Sequence, residues 1–133
     1  MNLIAELRAE LGDGAVLAGD AIGPRHASDR SETGTMLPLA VVRPRTTADV
    51  SAALRLCHAA GQPVVVQGGM TGLAGGANPA GTEIAISLEL LRGIEEIDVS
   101  AATMTVKAGT PLELAQQAAA DHGLFLALDL GSR

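Results

Sequence analysis

The sequence predicts an α+β domain in which a small parallel βαβ sheet with flanking helices is followed by antiparallel strands. Two apolar runs, at 39–42 and 63–67, are separated by a helical pattern, which is the order of a βαβ unit. Two further runs, at 94–98 and 103–107, are joined by four residues, a spacing typical of a hairpin. With 133 residues, of which 47% are hydrophobic, the chain is long enough for one domain with a buried core.

The amino-terminal region is predicted as a helix followed by a connecting segment. Apolar side chains recur at helical spacing over 2–11 and Gly12 follows, so a short amphipathic helix is expected there. The stretch 12–39 is polar and irregular, and it is expected to be a surface connection that wraps another part of the molecule. Residues 1–38 are therefore predicted as an amino-terminal helix and wrapping segment, ahead of the main unit at 39–133.

The central elements follow from caps and apolar patterns. Thr46 and Thr47 offer N-caps to a helix expected over about 47–60. The strand at 63–67 contains three consecutive valines, which favours burial on both faces, as in a parallel sheet covered by helices. A third strand is expected at 83–87.

The last predicted elements are a helix and a strand. The tetrapeptide Thr110-Pro111-Leu112-Glu113 has the pattern of a capping box with proline at the first helical position. A helix is therefore expected from there to His122, with Gly123 as its C-cap. The apolar run at 125–128 is expected to form a final strand.

Composition excludes several classes of protein. The net charge of −6 argues against a nucleic-acid partner, because binding to phosphate backbones depends on clustered Lys and Arg. No apolar stretch approaches the roughly 18 residues that are needed to span a bilayer. The single cysteine, Cys57, cannot form an intrachain disulfide, and the amino terminus lacks the pattern of a secretory signal. A cytoplasmic location is therefore expected.

No catalytic or metal-binding set is predicted within this chain. The three histidines, His26, His58 and His122, lie in no HxH or HExxH pattern. His58 and His122 lie at predicted helix ends, where the helix dipole favours a solvent-facing histidine. No serine lies in a GxSxG pattern, and Cys57 falls on an apolar helix stripe, as expected of a core residue rather than a nucleophile.

The most informative feature is a glycine-rich loop, Gln67-Gly68-Gly69-Met70-Thr71-Gly72-Leu73-Ala74-Gly75-Gly76-Ala77-Asn78-Pro79, directly after the valine-rich strand. Glycines allow tight turns that direct several N–H groups at one anion, so the loop predicts a phosphate-binding site. A P-loop is excluded because the loop has no lysine, and the glycine spacing does not match the Rossmann GxGxxG pattern. A glycine-rich turn that lets two strands pack closely remains the alternative.

The loop is one of five segments that together resemble a known family. The other four are Val42-Arg43-Pro44 with Thr46-Thr47-Ala48-Asp49-Val50, Ile86-Ser87-Leu88, Val106-Lys107-Ala108-Gly109 and Leu128-Asp129-Leu130-Gly131. In this order they resemble the FAD-binding domain of FAD-linked oxidases, the flavoproteins with the fold of p-cresol methylhydroxylase (PCMH) and vanillyl-alcohol oxidase. Within the family, the glutamine that opens the loop and the Leu-Asp-Leu-Gly ending are most similar to D-2-hydroxyglutarate and D-lactate dehydrogenases, including the glycolate oxidase D subunit group. The resemblance spans about 26–133.

The resemblance implies that FAD is the cofactor and that the loop wraps its pyrophosphate with backbone amides, helped by the Thr71 hydroxyl. The cofactor-binding residues that it implies are Gln67, Gly68, Gly69, Met70, Thr71, Gly72, Gly75, Gly76, Ser87, Asp129 and Gly131. Met70 departs from the family, in which asparagine or glycine is usual at this position, so a side-chain contact there is lost or altered.

The resemblance also implies an activity for the parent protein, the oxidation of a D-2-hydroxy acid of the lactate, glycolate or 2-hydroxyglutarate class to the 2-oxo acid. The alternatives are another FAD-linked alcohol or sugar oxidase, and a non-catalytic nucleotide-binding or scaffold module. The family continues into a second glycine-rich loop and a substrate domain with histidines and an acidic residue around a metal ion. Residues 39–133 are therefore expected to be an incomplete, amino-terminal part of the FAD-binding domain and to be inactive alone. The sequence does not specify an oligomeric state.

Overall fold

A four-stranded sheet and a separate two-stranded hairpin carry the fold in the computed structural model, which describes residues 2–132. The helices are α1 (Leu3–Leu11), α2 (Thr47–Ala59) and α3 (Leu112–Asp121). The strands are β1 (Val16–Ala18), β2 (Ala40–Val42), β3 (Val64–Gln67), β4 (Ile84–Ser87), β5 (Ile94–Asp98) and β6 (Thr103–Val106). Short 3-10 turns lie at Asp13–Ala15, Gly19–Ala21, Pro24–His26 and Leu88–Leu90.

The main sheet has the strand order β1-β2-β4-β3. β2 and β3 each pair in parallel with β4, and β1 pairs antiparallel with β2. The chain passes from β2 through α2 to β3, and β4 then lies between these two strands in the sheet. β5 and β6 form a separate antiparallel hairpin. The predicted fold class, a parallel βαβ sheet followed by antiparallel strands, is confirmed. Because β3 and β4 are parallel, the segments that follow them leave the same edge of the sheet.

Both faces of the main sheet are covered. On one face Leu7 of α1 and Cys57 of α2 pack with Ile84 of β4, so the predicted core position of Cys57 is confirmed. Burial there raises the pKa of the Cys57 thiol. On the other face Ile22, from the segment before β2, packs against Val41. The segment before β2 is therefore part of the core and not only a surface connection.

A capping box fixes the start of α2. Thr46 Oγ1 accepts a hydrogen bond from Asp49 N at 3.1 Å, and Asp49 Oδ2 accepts from Thr46 N at 3.1 Å and from Arg45 N at 2.9 Å. The backbone hydrogen bond from Arg45 is the largest of the contacts that lower the pKa of Asp49. The helix expected over about 47–60 is confirmed.

Two expectations about the strands are wrong. The stretch 12–39 is not irregular throughout, because β1 lies within it and joins the sheet beside β2. The three valines of β3 are not buried on both faces, since Val66 is 54% exposed. β3 is an edge strand, in which Val64 and Val65 pack on opposite faces of the sheet while Val66 stays exposed.

Two expectations about the carboxyl-terminal region are also wrong. The capping box predicted at 110–113 does not form, because α3 begins after Pro111 without a side-chain cap. Thr110 Oγ1 instead donates to the Lys107 carbonyl at 2.7 Å and accepts from Gly93 N at 3.0 Å, which ties the hairpin to the start of α3. The strand expected at 125–128 is absent from the described structure, where this stretch is irregular and Phe125 is 88% exposed. A strand needs a hydrogen-bonded partner, and none is paired with this run.

Candidate functional site

The predicted site lies at the edge of the sheet where β3 and β4 end. Gln67 and Ser87 are the last residues of these strands, and they are directly opposite each other in the parallel pairing. Both side chains are fully buried. The glycine-rich loop follows Gln67, and the turn Leu88–Leu90 follows Ser87. In open sheets of this kind, the carboxyl ends of parallel strands are where ligands bind.

The side chain of Gln67 closes the base of the loop. Its Nε2 donates to the carbonyl oxygens of His26, at 2.9 Å, and of Ala77, at 3.1 Å. Its Oε1 lies 2.9 Å from His26 Nδ1. Because the amide nitrogen donates twice, the oxygen is the acceptor and His26 Nδ1 carries the proton. The Gln67 amide therefore joins the start of the loop to its end, and it shapes the site through these three contacts.

The returning half of the loop is held by Asp29, which precedes it by more than forty residues. Asp29 Oδ2 accepts a hydrogen bond from Gly75 N at 3.0 Å, and Asp29 Oδ1 accepts from Ser31 N at 2.8 Å. Asn78 Oδ1 accepts from Asp29 N at 2.6 Å. The hydrogen bonds from Ser31, and after them those from Gly75 and Asn78, lower the pKa of Asp29. Arg30 N also donates to the Gly72 carbonyl at 2.9 Å, so this half of the loop is fixed by neighbouring backbone.

Some glycines near the site are required by the packing of the chain itself. Gly75 has φ +77°, and a Cβ there would collide with Thr33 Oγ1. A Cβ at Gly109 would collide with the Leu88 carbonyl oxygen and lie 2.8 Å from that of Leu91. Gly109 thus lets the segment after β6 approach the turn Leu88–Leu90 closely.

Gly68 and Gly69 have no such internal reason to be glycine. A Cβ at Gly68 would meet nothing within 4 Å, and a Cβ at Gly69 would only touch the Thr71 side chain at 3.9 Å. Neither residue has a positive φ. The alternative raised from the sequence was a turn whose glycines only let two strands pack closely. Close packing therefore does not explain why positions 68 and 69 are glycine. They leave open space in front of their own backbone.

That open space is part of a cleft of about 460 Å³. Gly68, Gly69 and Thr71 line one part of the cleft, and the turn Leu88–Leu90 lines another. The remaining lining residues are Arg25, Arg92, Ala108, Gly109, Thr110, Pro111, Leu112 and Ser132. The cleft thus combines exposed backbone of the loop with two arginine side chains, a combination suited to an anionic group.

The charged residues around the cleft are centred on Glu89. Its carboxylate forms an ion pair with Arg25, and it lies 3.9 Å from Arg43 and 3.9 Å from His26 Nε2. Arg43 also donates to the Gly14 carbonyl at 2.8 Å. Arg25, Glu89 and Arg92 are not recognisable as site residues from the sequence, because no local motif connects them with the loop.

Ser87 carries a buried hydroxyl without a hydrogen-bond partner among the described residues. Leaving such a group unpaired costs about 1–3 kcal/mol. Its position at the end of β4, opposite Gln67, is beside the loop that leaves β3. Ser87 is fully buried and does not line the cleft, so its hydroxyl is an unpaired group beneath the site and not on the surface of the cleft.

Met70 is the strained residue of the loop. It has φ +58° and a buried side chain. For a residue other than glycine, this left-handed conformation costs roughly 1–2 kcal/mol. The conformation is one that glycine and asparagine adopt readily, which explains why those residues suit this position, and it is unfavourable for the methionine found here. The Met70 side chain is packed inside the protein.

The carboxyl-terminal candidates lie in an exposed, irregular stretch. Asp129 and Gly131 are both exposed, and neither lines the cleft. Ser132, the residue after Gly131, does line it. The hydrogen bonds that join Asp29 to Ser31, Gly75 and Asn78 form an Asp29 clamp. Gly76, which follows Gly75, is likewise exposed, and a Cβ there would meet nothing within 4 Å. The structure thus brings Gly68, Gly69 and Thr71 into one cleft and leaves the other candidates around it.

Membrane-spanning helices and clusters of metal-binding side chains are both absent from residues 2–132. No helix there is long and apolar enough to cross a membrane. In the same part of the chain, no group of three or more His, Cys, Asp or Glu side chains is arranged to hold a metal ion.

Comparison with known proteins identifies similar sequences. The family model described as the FAD binding domain matches residues 38–133. D-2-hydroxyglutarate dehydrogenase of Xanthomonas citri pv. viticola is 37% identical over 108 residues, which cover 81% of this chain and 23% of that protein. A putative mitochondrial D-lactate dehydrogenase, C713.03 of Schizosaccharomyces pombe, is 38% identical over 92 residues, 69% of this chain and 18% of that protein. The chain therefore spans about a fifth of each of these relatives.

The fold also matches a solved structure. The crystal structure of p-cresol methylhydroxylase with substrate bound superposes with a TM-score of 0.81 at 22% sequence identity. The match covers 98% of this chain and 26% of that one. At this identity the likeness concerns the fold, and it agrees with the sheet and hairpin described above.

Proposed function

Because the chain belongs to the FAD binding domain family, we propose that its glycine-rich loop holds the pyrophosphate of FAD. The observation that carries the proposal is the open space in front of Gly68 and Gly69, which the packing of the chain does not require. A side chain at either position would fill the cleft, whereas glycine leaves backbone N–H groups accessible to a phosphate. The residues present therefore fit a diphosphate group.

The proposed cofactor-binding residues act in different ways. Gly68, Gly69 and Thr71 offer backbone N–H groups and a hydroxyl to the pyrophosphate. Met70 and Gly72 continue the same backbone, and Gln67, Gly75 and Gly76 set the path of the loop. Ser87 does not line the cleft, and it belongs to the proposal because its unpartnered hydroxyl lies at the end of β4, opposite Gln67. Asp129 and Gly131 belong to the proposal because they lie within three residues of Ser132, which lines the cleft.

The activity of the parent protein is proposed as oxidation of a D-2-hydroxy acid to the 2-oxo acid. FAD, when bound, supplies the isoalloxazine ring that accepts hydride from the substrate. The residues of this chain bind and orient the cofactor, and none is assigned to catalysis. The substrate class, lactate, glycolate or 2-hydroxyglutarate, is supported by relatives named for 2-hydroxyglutarate and lactate.

The domain organisation and location are part of the same proposal. Residues 1–38 form the amino-terminal helix and wrapping segment, and 39–133 form the amino-terminal part of the FAD-binding domain. The start of the family match at residue 38 supports this division, although β1 and β2 pair across it. We propose a cytoplasmic location. The Schizosaccharomyces pombe relative is named mitochondrial, so the proposal is tested by cell fractionation of the native host.

The loop assignment is tested with Gly69→Val in the full-length protein. A Cβ at Gly69 would meet only the Thr71 side chain, at 3.9 Å, so the variant is expected to fold and to lose flavin. The measurement is the flavin content of the purified protein, from its visible absorption. Gly34→Val is the matched control, since a Cβ at Gly34 also meets nothing within 4 Å and Gly34 lies outside the cleft. Full flavin content in the Gly69→Val variant would overturn the assignment.

A further inference from the structure

We infer that Arg25 is a pyrophosphate-binding residue, whose guanidinium adds a positive side-chain charge to the backbone amides of the loop. The inference rests on the proposed function, since it takes the cleft to be the site of the FAD pyrophosphate. Arg25 lines that cleft together with Gly68, Gly69 and Thr71. The loop itself contains neither lysine nor arginine, so any cationic side chain must come from another segment.

The backbone of Arg25 is fixed relative to the loop. Arg25 lies in the turn Pro24–His26, directly before His26. The His26 ring and carbonyl are both bonded to the side chain of Gln67, from which the loop departs. Both His26 and Gln67 are buried. The same buried contacts therefore hold the arginine and the start of the loop in one arrangement.

The side chain of Arg25 is held in place by Glu89. One guanidinium nitrogen of Arg25 forms the ion pair with Glu89, and the Arg25 side chain remains 47% exposed. A guanidinium has five N–H donors in a planar fork, so a single carboxylate contact leaves donors for a second anion. Glu89 is itself held near Arg43 and His26, which keeps the carboxylate on the wall of the cleft.

The charge of the site supports the same inference. The chain carries a net charge of −6, which repels an anionic cofactor at long range. The lining of the cleft contains two positive side chains, Arg25 and Arg92, and one carboxylate, Glu89. Arginine binds phosphate oxygens with two parallel N–H groups, so it contributes directional contacts as well as charge.

The test uses full-length protein from which flavin has been removed, titrated with FAD at low and at high salt. Arg25→Gln is expected to weaken FAD binding about tenfold at low salt, as for the loss of a hydrogen bond to a charged group. It should also reduce the dependence of FAD binding on salt, because salt screens the lost attraction. Arg25→Lys keeps the charge and is expected to restore part of the affinity.

Arg55→Gln is the matched control. Arg55 also pairs with a glutamate, Glu10, at 3.2 Å, and its side chain is 63% exposed, but it lies on α2 away from the cleft. This variant is expected to bind FAD like the wild type at both salt concentrations. Thermal unfolding of the flavin-free variants, compared with the wild type, separates a loss of binding from a loss of folding.

The outcomes separate this inference from the proposed function. If the wild type binds FAD but Arg25→Gln binds it with unchanged affinity and salt dependence, the role of Arg25 is overturned while the loop assignment stands. Loss of affinity in Arg25→Gln that Arg25→Lys does not restore, with unchanged salt dependence, also overturns it, because only the packing of Arg25 then matters. A wild type that binds no FAD would overturn both proposals.

Discussion

Gln67 and His26 form a buried pair in which two hydrogen bonds run in opposite directions. Gln67 Nε2 donates to the His26 carbonyl at 2.9 Å, and Gln67 Oε1 lies 2.9 Å from His26 Nδ1. A third hydrogen bond, from Nε2 to the Ala77 carbonyl at 3.1 Å, closes the loop. One side chain thus sets the spacing between the end of β3, the turn Pro24–His26 and the returning end of the loop.

Gln67→Glu is expected to destabilise the protein, because a carboxylate cannot donate to the carbonyl oxygens of His26 and Ala77. The buried His26 carbonyl would lose its donor, which costs about 1–3 kcal/mol in the free energy of unfolding, and the partly buried Ala77 carbonyl would lose one as well. The free energy is measured by urea unfolding, and flavin content is measured on the same preparations. The variant is expected to lose flavin as well, since the base of the loop is no longer closed.

Gln62→Glu is the control for this change. Gln62 Nε2 also donates to two carbonyls, those of Pro63 at 3.0 Å and Thr82 at 2.7 Å, but Gln62 is only partly buried. Water can replace the lost donor there, so the loss of stability should be smaller. Equal losses in the two variants would contradict the role given to the Gln67 amide.

Much of the fold could be predicted from the sequence because its signals are local. The valines before the loop predict β3, and Thr46 with Asp49 marks the start of α2. β1 was missed because three residues, Val16–Ala18, have too short a pattern, and their pairing with β2 is set by tertiary contacts. The run 125–128 has the composition of a strand, yet hydrogen bonding to a neighbouring strand decides whether such a run forms one.

The site could be predicted only in part for the same reason. The glycine density located the loop, but composition cannot separate Gly75, which the packing requires, from Gly69, which it does not. That distinction depends on what a Cβ would meet in three dimensions. Arg25 and Glu89 are 64 residues apart, so no spacing rule connects them before the chain is folded.

Because of the Asp29 clamp, the free energy of unfolding of the protein is expected to fall as the pH becomes acidic. Hydrogen bonds, above all from Ser31, hold the pKa of Asp29 below its ordinary value of 3.8. A carboxyl whose pKa is lower in the folded state stabilises the fold fully above its ordinary pKa, and this contribution is lost as the pH falls through the folded pKa. Asp29→Asn should therefore be less stable than the wild type near neutral pH, and the difference should shrink as the pH falls below 3.8.

Urea unfolding over a series of pH values measures this difference. Asp49→Asn is the control, because Asp49 also accepts two backbone N–H bonds and its pKa is likewise lowered, but it caps α2 away from the cleft. Both variants should show the acid dependence, and only Asp29→Asn should also bind FAD more weakly. A stability difference for Asp29→Asn that stays constant into strong acid would contradict the clamp.

Ser87→Ala separates a binding role from a structural one at the end of β4. The Ser87 hydroxyl is buried without a partner among the described residues, so its removal from the flavin-free protein should not destabilise it by more than about 1 kcal/mol and can stabilise it. FAD binding should weaken about three- to tenfold, as for the loss of one ordinary hydrogen bond. Titration with FAD and urea unfolding of the flavin-free protein measure the two effects, with the exposed Ser51→Ala as control. Unchanged FAD affinity together with a clear loss of stability would mean that Ser87 only supports the fold.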